Sequence, residues 1–264
     1  MGWLDVPRVD EPEMIDAPDQ PIADLASSMG DVARTNVLFG GTNAIVGGVA
    51  NLLMSVPKEQ PIRILDIGCG SGDIARALVH WGRRTGRVVE VVAVDNLWNM
   101  LTIAKAAPSG FTQGSGPLTP NPGGTGLGAR DLDFHGSDRS KISFIQSDAL
   151  ALPFRPGSFD IVTCALTFHH LGFDESARVL AQMDRLSTRG FVVTDLRRDR
   201  LSHAMVSAGL MVMRSHPFTR HDGPASVLRA FTPREYAQIV ALSGVQGVRI
   251  SSSWYYRIVL TRSK

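Results

Sequence analysis

The chain has 264 residues, of which 44% are hydrophobic and 20% charged, and its formal charge is +2. This length and composition are typical of one soluble α/β domain with a sizeable core, and they exclude disordered and fibrous proteins. Lys and Arg are scattered singly or in pairs. Because no basic stripe could follow a phosphate backbone, we expect a small-molecule substrate and no nucleic acid partner.

The first 24 residues differ in composition from the rest, since they hold seven acids, four prolines and a single base, Arg8. This predicts a flexible acidic arm at 1–24 and one domain at 25–264. The arm lacks the basic start and apolar run of a secretory signal, and no later stretch approaches the ~20 apolar residues of a membrane span. We therefore expect a cytoplasmic protein without a membrane span, either a monomer or a homodimer.

The central part of the chain alternates between helical and strand-like patterns. Apolar residues recur at helical spacing from Leu25 to Phe39 and from Ala44 to Met54, which predicts a helical cap at 25–58. Buried strands are then predicted at Ile62 to Ile67, Val88 to Val94, Ile142 to Ile145, Phe159 to Leu166 and Phe191 to Leu196. Strands that alternate with helices predict a Rossmann-like, doubly wound parallel sheet.

The last part of the chain predicts one further helix and two strands. Thr232, Pro233 and Glu235 combine an N-cap hydroxyl, a first-turn proline and a capping-box glutamate, so we expect a helix from Pro233 to about Ser243. Val248 to Ser252 and Tyr255 to Leu260 are β-rich runs separated by two residues. They predict an antiparallel pair, which makes a seven-stranded, mostly parallel sheet with one antiparallel strand at the edge.

One long segment, 107–141, interrupts this alternation with eight glycines and four prolines and has no periodicity. It predicts an inserted loop between a helix and a strand. Loops of this length in compact domains are functional lids or disordered segments.

The strongest functional motif is ILDIGCGSGDIA, which spans Ile64 to Ala75. It places Asp66 at the end of a strand and a run of alternate glycines before a helix that begins near Asp73. Glycines allow the backbone to turn tightly and approach a ligand, and a helix N-terminus offers free N–H donors. The motif therefore indicates a nucleoside cofactor, although dinucleotide enzymes and plain strand-to-helix turns use a similar pattern.

Acidic residues at the ends of the next two strands narrow the choice of cofactor. Asp95 could accept both hydroxyls of an adenosine ribose, which suits either NAD or S-adenosylmethionine. Asp148, at the end of the third strand, could accept the exocyclic amine of adenine. Three acids at successive strand ends suit a cationic amino-acid nucleoside better than a pyrophosphate, so we expect S-adenosylmethionine.

From Ile62 to Leu196 the chain resembles the class I S-adenosylmethionine-dependent methyltransferases, particularly the ubiquinone/menaquinone methyltransferase-like branch of small-molecule enzymes. The resemblance rests on four motifs in order, namely ILDIGCGSG, VDNLWNML, SDALALPF and PGSFDIVTCALTFHHL. It implies a cofactor site whose residues run from the methionine end through the ribose to the adenine: Asp66, Gly68, Cys69 and Gly70, then Asp95, then Asn96, Asp148 and Ala149. By the same analogy Cys164 would contribute a backbone contact beside the methionine moiety.

Only two cysteines are present, Cys69 and Cys164, and both lie in apolar, strand-like surroundings. This predicts small buried residues and neither a disulfide framework nor a cysteine metal site.

A methyltransferase that acts on a hydroxyl needs a base, and histidine is the natural candidate. His169 and His170 follow the fourth strand, at the carboxyl edge where α/β enzymes bind ligands, and His221 stands beside Asp222 in a glycine-proline turn. Arg197, after the fifth strand, could hold an acidic oxygen of the substrate. The alternatives are that His169 and His170 only pack structurally, that His221 lies in an exposed turn, and that Arg197 forms a surface salt bridge.

These features predict O-methylation of a phenolic or polyketide-like secondary metabolite, with the Met-rich segment 201–218 as an apolar roof. C-methylation of a quinone-like ring is the close rival. A cyclase that binds S-adenosylmethionine without methylating, and an NAD oxidoreductase, are weaker alternatives.

Overall fold

Seven strands form one sheet in the part of the chain that the computed structural model describes, which is residues 6–17, 19–107, 140–252 and 257–264. The strands are β1 (Ile62–Ile67), β2 (Val89–Asp95), β3 (Lys141–Gln146), β4 (Phe159–Ala165), β5 (Ser187–Leu196), β6 (Arg249–Ser252) and β7 (Arg257–Ser263). Their order across the sheet is β3-β2-β1-β4-β5-β7-β6. The first five run parallel, while β7 is antiparallel to both β5 and β6. The predicted Rossmann-like, mostly parallel sheet is confirmed, with its reversed strand next to the short edge strand β6.

Among the described residues, helices cover both faces of this sheet, and further helices lie over the carboxyl ends of its parallel strands. They are α1 (Ile22–Leu38), α2 (Gly41–Leu52), α3 (Asp73–Thr85), α4 (Trp98–Ala106), α5 (Phe173–Leu186), α6 (Arg200–Val212), α7 (Pro217–Arg229) and α8 (Pro233–Ser243). The predicted capping box starts α8, where the Thr232 hydroxyl accepts the Glu235 N–H at 3.3 Å and the Glu235 carboxylate accepts the Thr232 N–H at 2.7 Å. No helix of the described residues is long and apolar enough to cross a membrane.

The core consists of two apolar layers, one on each face of the sheet. Leu65 and Ile67 of β1 pack in the layer that α5 and α8 cover, whereas Ile62 and Ile64 pack in the layer that α2 and α3 cover. All four side chains are fully buried. A strand buried on both faces has to be apolar at nearly every position, which is why β1 shows no polar alternation.

Helices α1, α6 and α7 form a cap at the carboxyl edge of the parallel strands. The prediction of a glycine-proline turn around His221 is wrong, because α7 continues through Gly223 and Pro224. A Cβ added to Gly223 would lie 2.3 Å from Leu210 Cδ1, so the glycine lets α7 pack closely on α6. This packing retains the helix although Pro224 removes one N–H donor from it.

The described part of the acidic arm packs against the cap, whereas the sequence predicts a flexible arm. The Arg8 guanidinium donates to the Arg229 carbonyl at 2.6 Å and lies 4.4 Å from the centre of the Phe231 ring. Further along, the Met14 N–H donates to the Asp222 carboxylate at 2.8 Å. The arm is therefore part of the cap. The predicted inserted loop, apart from its ends, and Tyr255, at the start of the last predicted strand, lie outside the described residues.

At Gly190, the backbones of β5 and β7 approach so closely that there is no room for a side chain. Its φ is +130°, and an added Cβ would lie 1.8 Å from the Arg262 carbonyl oxygen. We expect Gly190→Ala to lower the free energy of unfolding by at least about 2 kcal/mol, because backbone strain and a steric clash add. Urea denaturation followed by circular dichroism measures this change.

Gly244→Ala is the matched control, since Gly244 has a φ of +71° with nothing within 4 Å of an added Cβ. That variant should lose only about 1 kcal/mol from the left-handed backbone. Equal losses in the two variants would contradict the proposed clash with β7.

Candidate active site

A cavity of about 490 Å³ opens at the carboxyl edge of the sheet, beneath the cap. Its floor is formed by the ends of β1, β2, β4 and β5 and by the loops that follow them. Its roof is formed by the arm, α1, α6 and α7, which contribute the apolar side chains of Met29, Phe39, Met205, Val206, Leu210 and Val227. The cavity thus joins a polar floor to an apolar roof.

The glycine turn after β1 fits closely against neighbouring strands. The Cys69 N–H donates to the Val94 carbonyl at 2.9 Å, which ties the turn to β2. Gly68 has a φ of +66°, and an added Cβ would lie 2.2 Å from the Thr167 hydroxyl oxygen. A side chain at this position would fill the space between the turn and the loop after β4, so the glycine keeps the floor of the cavity open.

Asp95 connects the glycine turn to the start of α4. One carboxylate oxygen accepts the Gly70 N–H at 2.8 Å, and the other accepts the Leu97 N–H at 2.9 Å. Burial raises the pKa of Asp95 above its ordinary value despite these two hydrogen bonds. The carboxylate therefore organises the turn and also lines the cavity.

The residues predicted to contact adenine lie together at the rim of the cavity. Asn96 and Asp148 are exposed and Ala149 is half-buried, and all three line the cavity. The Asp148 carboxylate accepts the Leu150 N–H at 2.8 Å, and the Ala149 carbonyl accepts from the Gln182 side chain at 2.9 Å. This rim is polar and open to solvent.

Asp66 is the most deeply buried acid on the floor, with 1% of its surface exposed. One of its oxygens accepts the Thr163 hydroxyl at 2.9 Å, while the other, Oδ2, is buried without a hydrogen-bond partner. Burial raises the pKa of this carboxyl to about 7, and the negative charges of Asp73 and Asp95 add to the effect. An ammonium group in the cavity would supply the missing partner.

The two cysteines are buried, as the sequence predicts, and burial raises the pKa of both thiols. Cys69 lines the cavity, but Cys164 does not. The Cys164 side chain faces away from the cavity, because it packs fully in the apolar layer that α5 and α8 cover. The residues that follow it, Ala165, Leu166 and Thr167, form this part of the wall instead. The predicted backbone contact at Cys164 stays a prediction, since the orientation of its side chain does not test it.

His169 is buried in the wall of the cavity and is oriented by a carboxylate. Its Nδ1 lies 2.7 Å from Asp195 Oδ1. Burial alone would raise the pKa of Asp195, but the His169 charge and hydrogen bonds, including one from the Leu196 N–H, outweigh burial and lower it. Since Asp195 is ionised, Nδ1 has to donate to it. In the neutral tautomer with the proton on Nδ1, the other ring nitrogen, Nε2, carries no proton and can accept one.

The arm brings two acids to the histidines. Glu13 Oε1 lies 3.6 Å from His169 Nε2, and Asp16 Oδ2 lies 3.1 Å from His170 Nδ1. Burial raises the pKa of Glu13. Burial would also raise the pKa of Asp16, but the hydrogen bond and charge of His170, together with the charge of Arg229, outweigh it and lower this pKa. The sequence analysis missed both acids, because nothing in the composition of the arm shows where it docks.

The donor atoms of Glu13, His169 and His170 all lie within 4.8 Å of one another, a spacing that a metal ion could use. The buried guanidinium of Arg229 is 3.5 Å from the Glu13 carboxylate, however. A positive charge therefore already compensates this cluster and disfavours a dication.

Two of the predicted catalytic residues lie outside the cavity lining. His221 is exposed on α7 and its Nδ1 is 2.8 Å from Asp222 Oδ1, so the helix that replaces the predicted turn directs it away from the cavity. Arg197 pairs with Asp199 at 2.6 Å. Asp199 caps α6 by accepting the Ser202 N–H, so this pair lies at the start of that helix.

Comparisons with known proteins find methyltransferases that are similar to this chain. Residues 128–193 match the model of a methyltransferase domain. A demethylmenaquinone methyltransferase of Thermus thermophilus is 34% identical over 134 residues, which cover 49% of this chain and 47% of that protein. A ubiquinone/menaquinone biosynthesis C-methyltransferase of Rhizobium leguminosarum is 24% identical over 204 residues, which cover 74% of this chain and 65% of that protein. The chain thus spans about half to two thirds of the length of these curated relatives.

The fold comparison agrees with the sequence relatives. The solved structure of the plantazolicin methyltransferase BpumL with S-adenosylhomocysteine has a TM-score of 0.54 at 12% identity, and the match covers 92% of this chain and 96% of that one. At this identity the likeness concerns the fold. The chain is therefore similar to methyltransferases in part of its sequence and in its fold, and the unpartnered Asp66 oxygen in its cavity suits a cationic ligand.

Proposed function

We propose that the protein transfers a methyl group to the hydroxyl of a small, largely apolar acceptor such as a phenol or quinol, and that His169 is the general base. The observation that carries this proposal is the pair formed by His169 and Asp195 in the wall of the cavity, with 2.7 Å between Nδ1 and the carboxylate. Such a pair fixes the imidazole so that its second nitrogen can accept a proton.

For the cofactor, we propose that Asp66 holds the ammonium group, that the turn at Gly68, Cys69 and Gly70 lines the methionine end, and that Asp95 accepts the ribose hydroxyls. The rim residues Asn96, Asp148 and Ala149 would hold the adenine. The buried, unpartnered Asp66 oxygen and the close packing of Gly68 against Thr167 in the lining of the cavity support this arrangement.

S-adenosylmethionine supplies a methyl group activated on a sulfonium. The protein then has to hold the acceptor oxygen in line and to remove its proton. When the acceptor oxygen took up the methyl group, its hydroxyl proton would pass to His169 Nε2. Asp195 stabilises the imidazolium that results, and Glu13, 3.6 Å from Nε2, is placed to carry the proton onward. The apolar roof excludes water and selects an apolar acceptor.

C-methylation of a quinol ring is the second candidate, since the sequence relatives are named demethylmenaquinone and ubiquinone/menaquinone methyltransferases. The same base would serve it, because loss of the hydroxyl proton also makes the ring carbons nucleophilic. Transfer of labelled methyl to naphthols and naphthohydroquinones, followed by mass spectrometry of the products, separates the two outcomes.

The cofactor arrangement predicts that Asp95→Ala weakens the binding of S-adenosylhomocysteine by at least about tenfold, or about 1.4 kcal/mol. The variant loses the ribose contact and also the bond that holds the Gly70 N–H. Isothermal titration calorimetry measures the affinity, and Asp174→Ala, an exposed acid at the start of α5, is the control. Unchanged affinity in Asp95→Ala would rule out the proposed ribose contact.

The proposed base predicts that His169→Gln lowers kcat at least about a hundredfold while the affinity for S-adenosylhomocysteine changes little. His221→Gln is the matched control, since that histidine also contacts an aspartate but lies outside the cavity, and it should keep full activity. Rates of methyl transfer to whichever phenol or quinol the wild type accepts give the comparison. Full activity of His169→Gln would exclude His169 as the base, and a parallel assay of His170→Gln would show whether its neighbour serves instead.

A further inference from the structure

Arg257 is a buried cation at the edge of the cavity that the proposed methyl transfer does not use. It is the first residue of β7 and pairs with Leu196 at the end of β5, which places it at the carboxyl edge of the parallel strands. The residue is 3% exposed and lines the cavity.

Two of the three guanidinium nitrogens of Arg257 have no hydrogen-bond partner among the residues that the structure describes. Its Nε and Nη1 atoms are buried and have no hydrogen-bond partner. Asp195 and Asp73 attract it electrostatically, but no ion pair joins either of them to Arg257 within the described part of the chain. Burial lowers the pKa of Arg257 to about 10, so the group remains charged at neutral pH.

Gly41 leaves space for the guanidinium because it has no side chain, and Asn36 beside it also has a buried polar atom without a partner. A Cβ on Gly41 would lie 2.8 Å from Arg257 Cζ and 2.0 Å from Asn36 Oδ1. The Asn36 amide nitrogen donates to Asp73 at 3.1 Å, while its Oδ1 is buried without a partner. Asn36 and Arg257 both line the cavity.

A buried charge without a partner costs free energy, and such groups in cavities are typically completed by a ligand of opposite charge. We propose that Arg257 binds a carboxylate of a molecule that occupies this cavity, either the amino-acid carboxylate of the cofactor or a carboxylate on the acceptor. This proposal rests on the proposed function, because the two possible sources of the carboxylate are its cofactor and its acceptor.

The charges nearby favour a carboxylate over a phosphate. The planar guanidinium matches the two oxygens of a carboxylate with parallel N–H donors. Asp73 and Asp195 are close enough to act on Arg257, so a dianion would meet more repulsion than a monoanion. The ligand group that suits this position therefore carries a single negative charge.

The test measures ligand binding to wild type, Arg257→Gln and the control Arg249→Gln, an exposed arginine on the adjacent strand β6. Calorimetric titrations use S-adenosylhomocysteine and 5′-methylthioadenosine, which lacks the amino-acid end. They also use 2-naphthoate and 2-naphthol, with S-adenosylhomocysteine already bound. We expect Arg257→Gln to weaken one carboxylate ligand by at least about tenfold and to leave its carboxylate-free analogue unchanged.

Each outcome has a defined meaning. Weaker S-adenosylhomocysteine with unchanged 5′-methylthioadenosine identifies the cofactor carboxylate, whereas weaker naphthoate with unchanged S-adenosylhomocysteine identifies the acceptor. If wild type binds S-adenosylhomocysteine but neither carboxylate depends on Arg257, the carboxylate site is refuted and the methyltransferase function stands. The naphthoate titration is therefore repeated without S-adenosylhomocysteine. If naphthoate binding then depends on Arg257 while S-adenosylhomocysteine does not bind, the function fails and the site stands. Absence of binding by both ligands refutes both.

Thermal unfolding without ligand separates a binding role from a structural one. An arginine that serves only the fold would lower the melting temperature when replaced. We expect Arg257→Gln to melt at the same temperature as wild type or higher, because it removes an unpaired buried charge. Arg257→Lys keeps the charge without the planar fork, and it should bind the sensitive carboxylate with an affinity between those of wild type and Arg257→Gln.

Discussion

The buried carboxylate of Asp66 is the constraint around which the rest of the site is arranged. β1 carries this acid into the core, where a single hydroxyl, that of Thr163, donates to it and its second oxygen has no partner. The nearby charges of Asp73 and Asp95 make ionisation harder still. A carboxylate kept in these surroundings is stabilised by a cationic ligand, and in the proposed function the ammonium group of S-adenosylmethionine would be that ligand. A pyrophosphate at the same place would only add repulsion.

The two carboxyl groups beside His169 have pKa values that are shifted in opposite directions. Asp195, on the sheet side, has a lowered pKa and stays ionised, whereas Glu13, on the arm side, has a raised pKa through burial. Two carboxyl groups whose pKa values are shifted in opposite directions give one imidazole an orienting anion at one nitrogen and a proton acceptor near the other. The sheet supplies the first group and the arm the second, so the proposed base depends on the docking of the arm.

The floor of the site could be predicted from sequence because each of its residues belongs to a local pattern. Asp66, Asp95 and Asp148 follow hydrophobic strands, and parallel strands bring their carboxyl ends to one edge. The sheet and its reversed strand follow from the same alternation, and the start of α8 follows from the capping box. These features depend on a few neighbouring residues and on general rules of strand packing.

The docking of the arm and the position of Arg257 could not be predicted in this way, because they depend on contacts between distant parts of the chain. Glu13 reaches the cavity only because the Asp222 carboxylate accepts main-chain N–H groups of the arm. Arg257 reaches it because β7 runs antiparallel to β5. A turn was expected around His221 because Gly223 and Pro224 usually break a helix, whereas here the glycine permits the packing of α7 on α6.

The measurement that tests the central claim most directly is the affinity for S-adenosylhomocysteine as a function of pH, for wild type and Asp66→Asn. Because the pKa of Asp66 is raised to about 7, the carboxyl group is neutral below that pH and has to release a proton to pair with the ligand ammonium. Wild-type affinity should be constant above about pH 8 and fall up to about tenfold per pH unit well below 7. Asp66→Asn should bind weakly and lack this component of the pH dependence, with circular dichroism confirming that both proteins stay folded. An affinity that is equally independent of pH in both proteins, or that rises as the pH falls, would contradict the account.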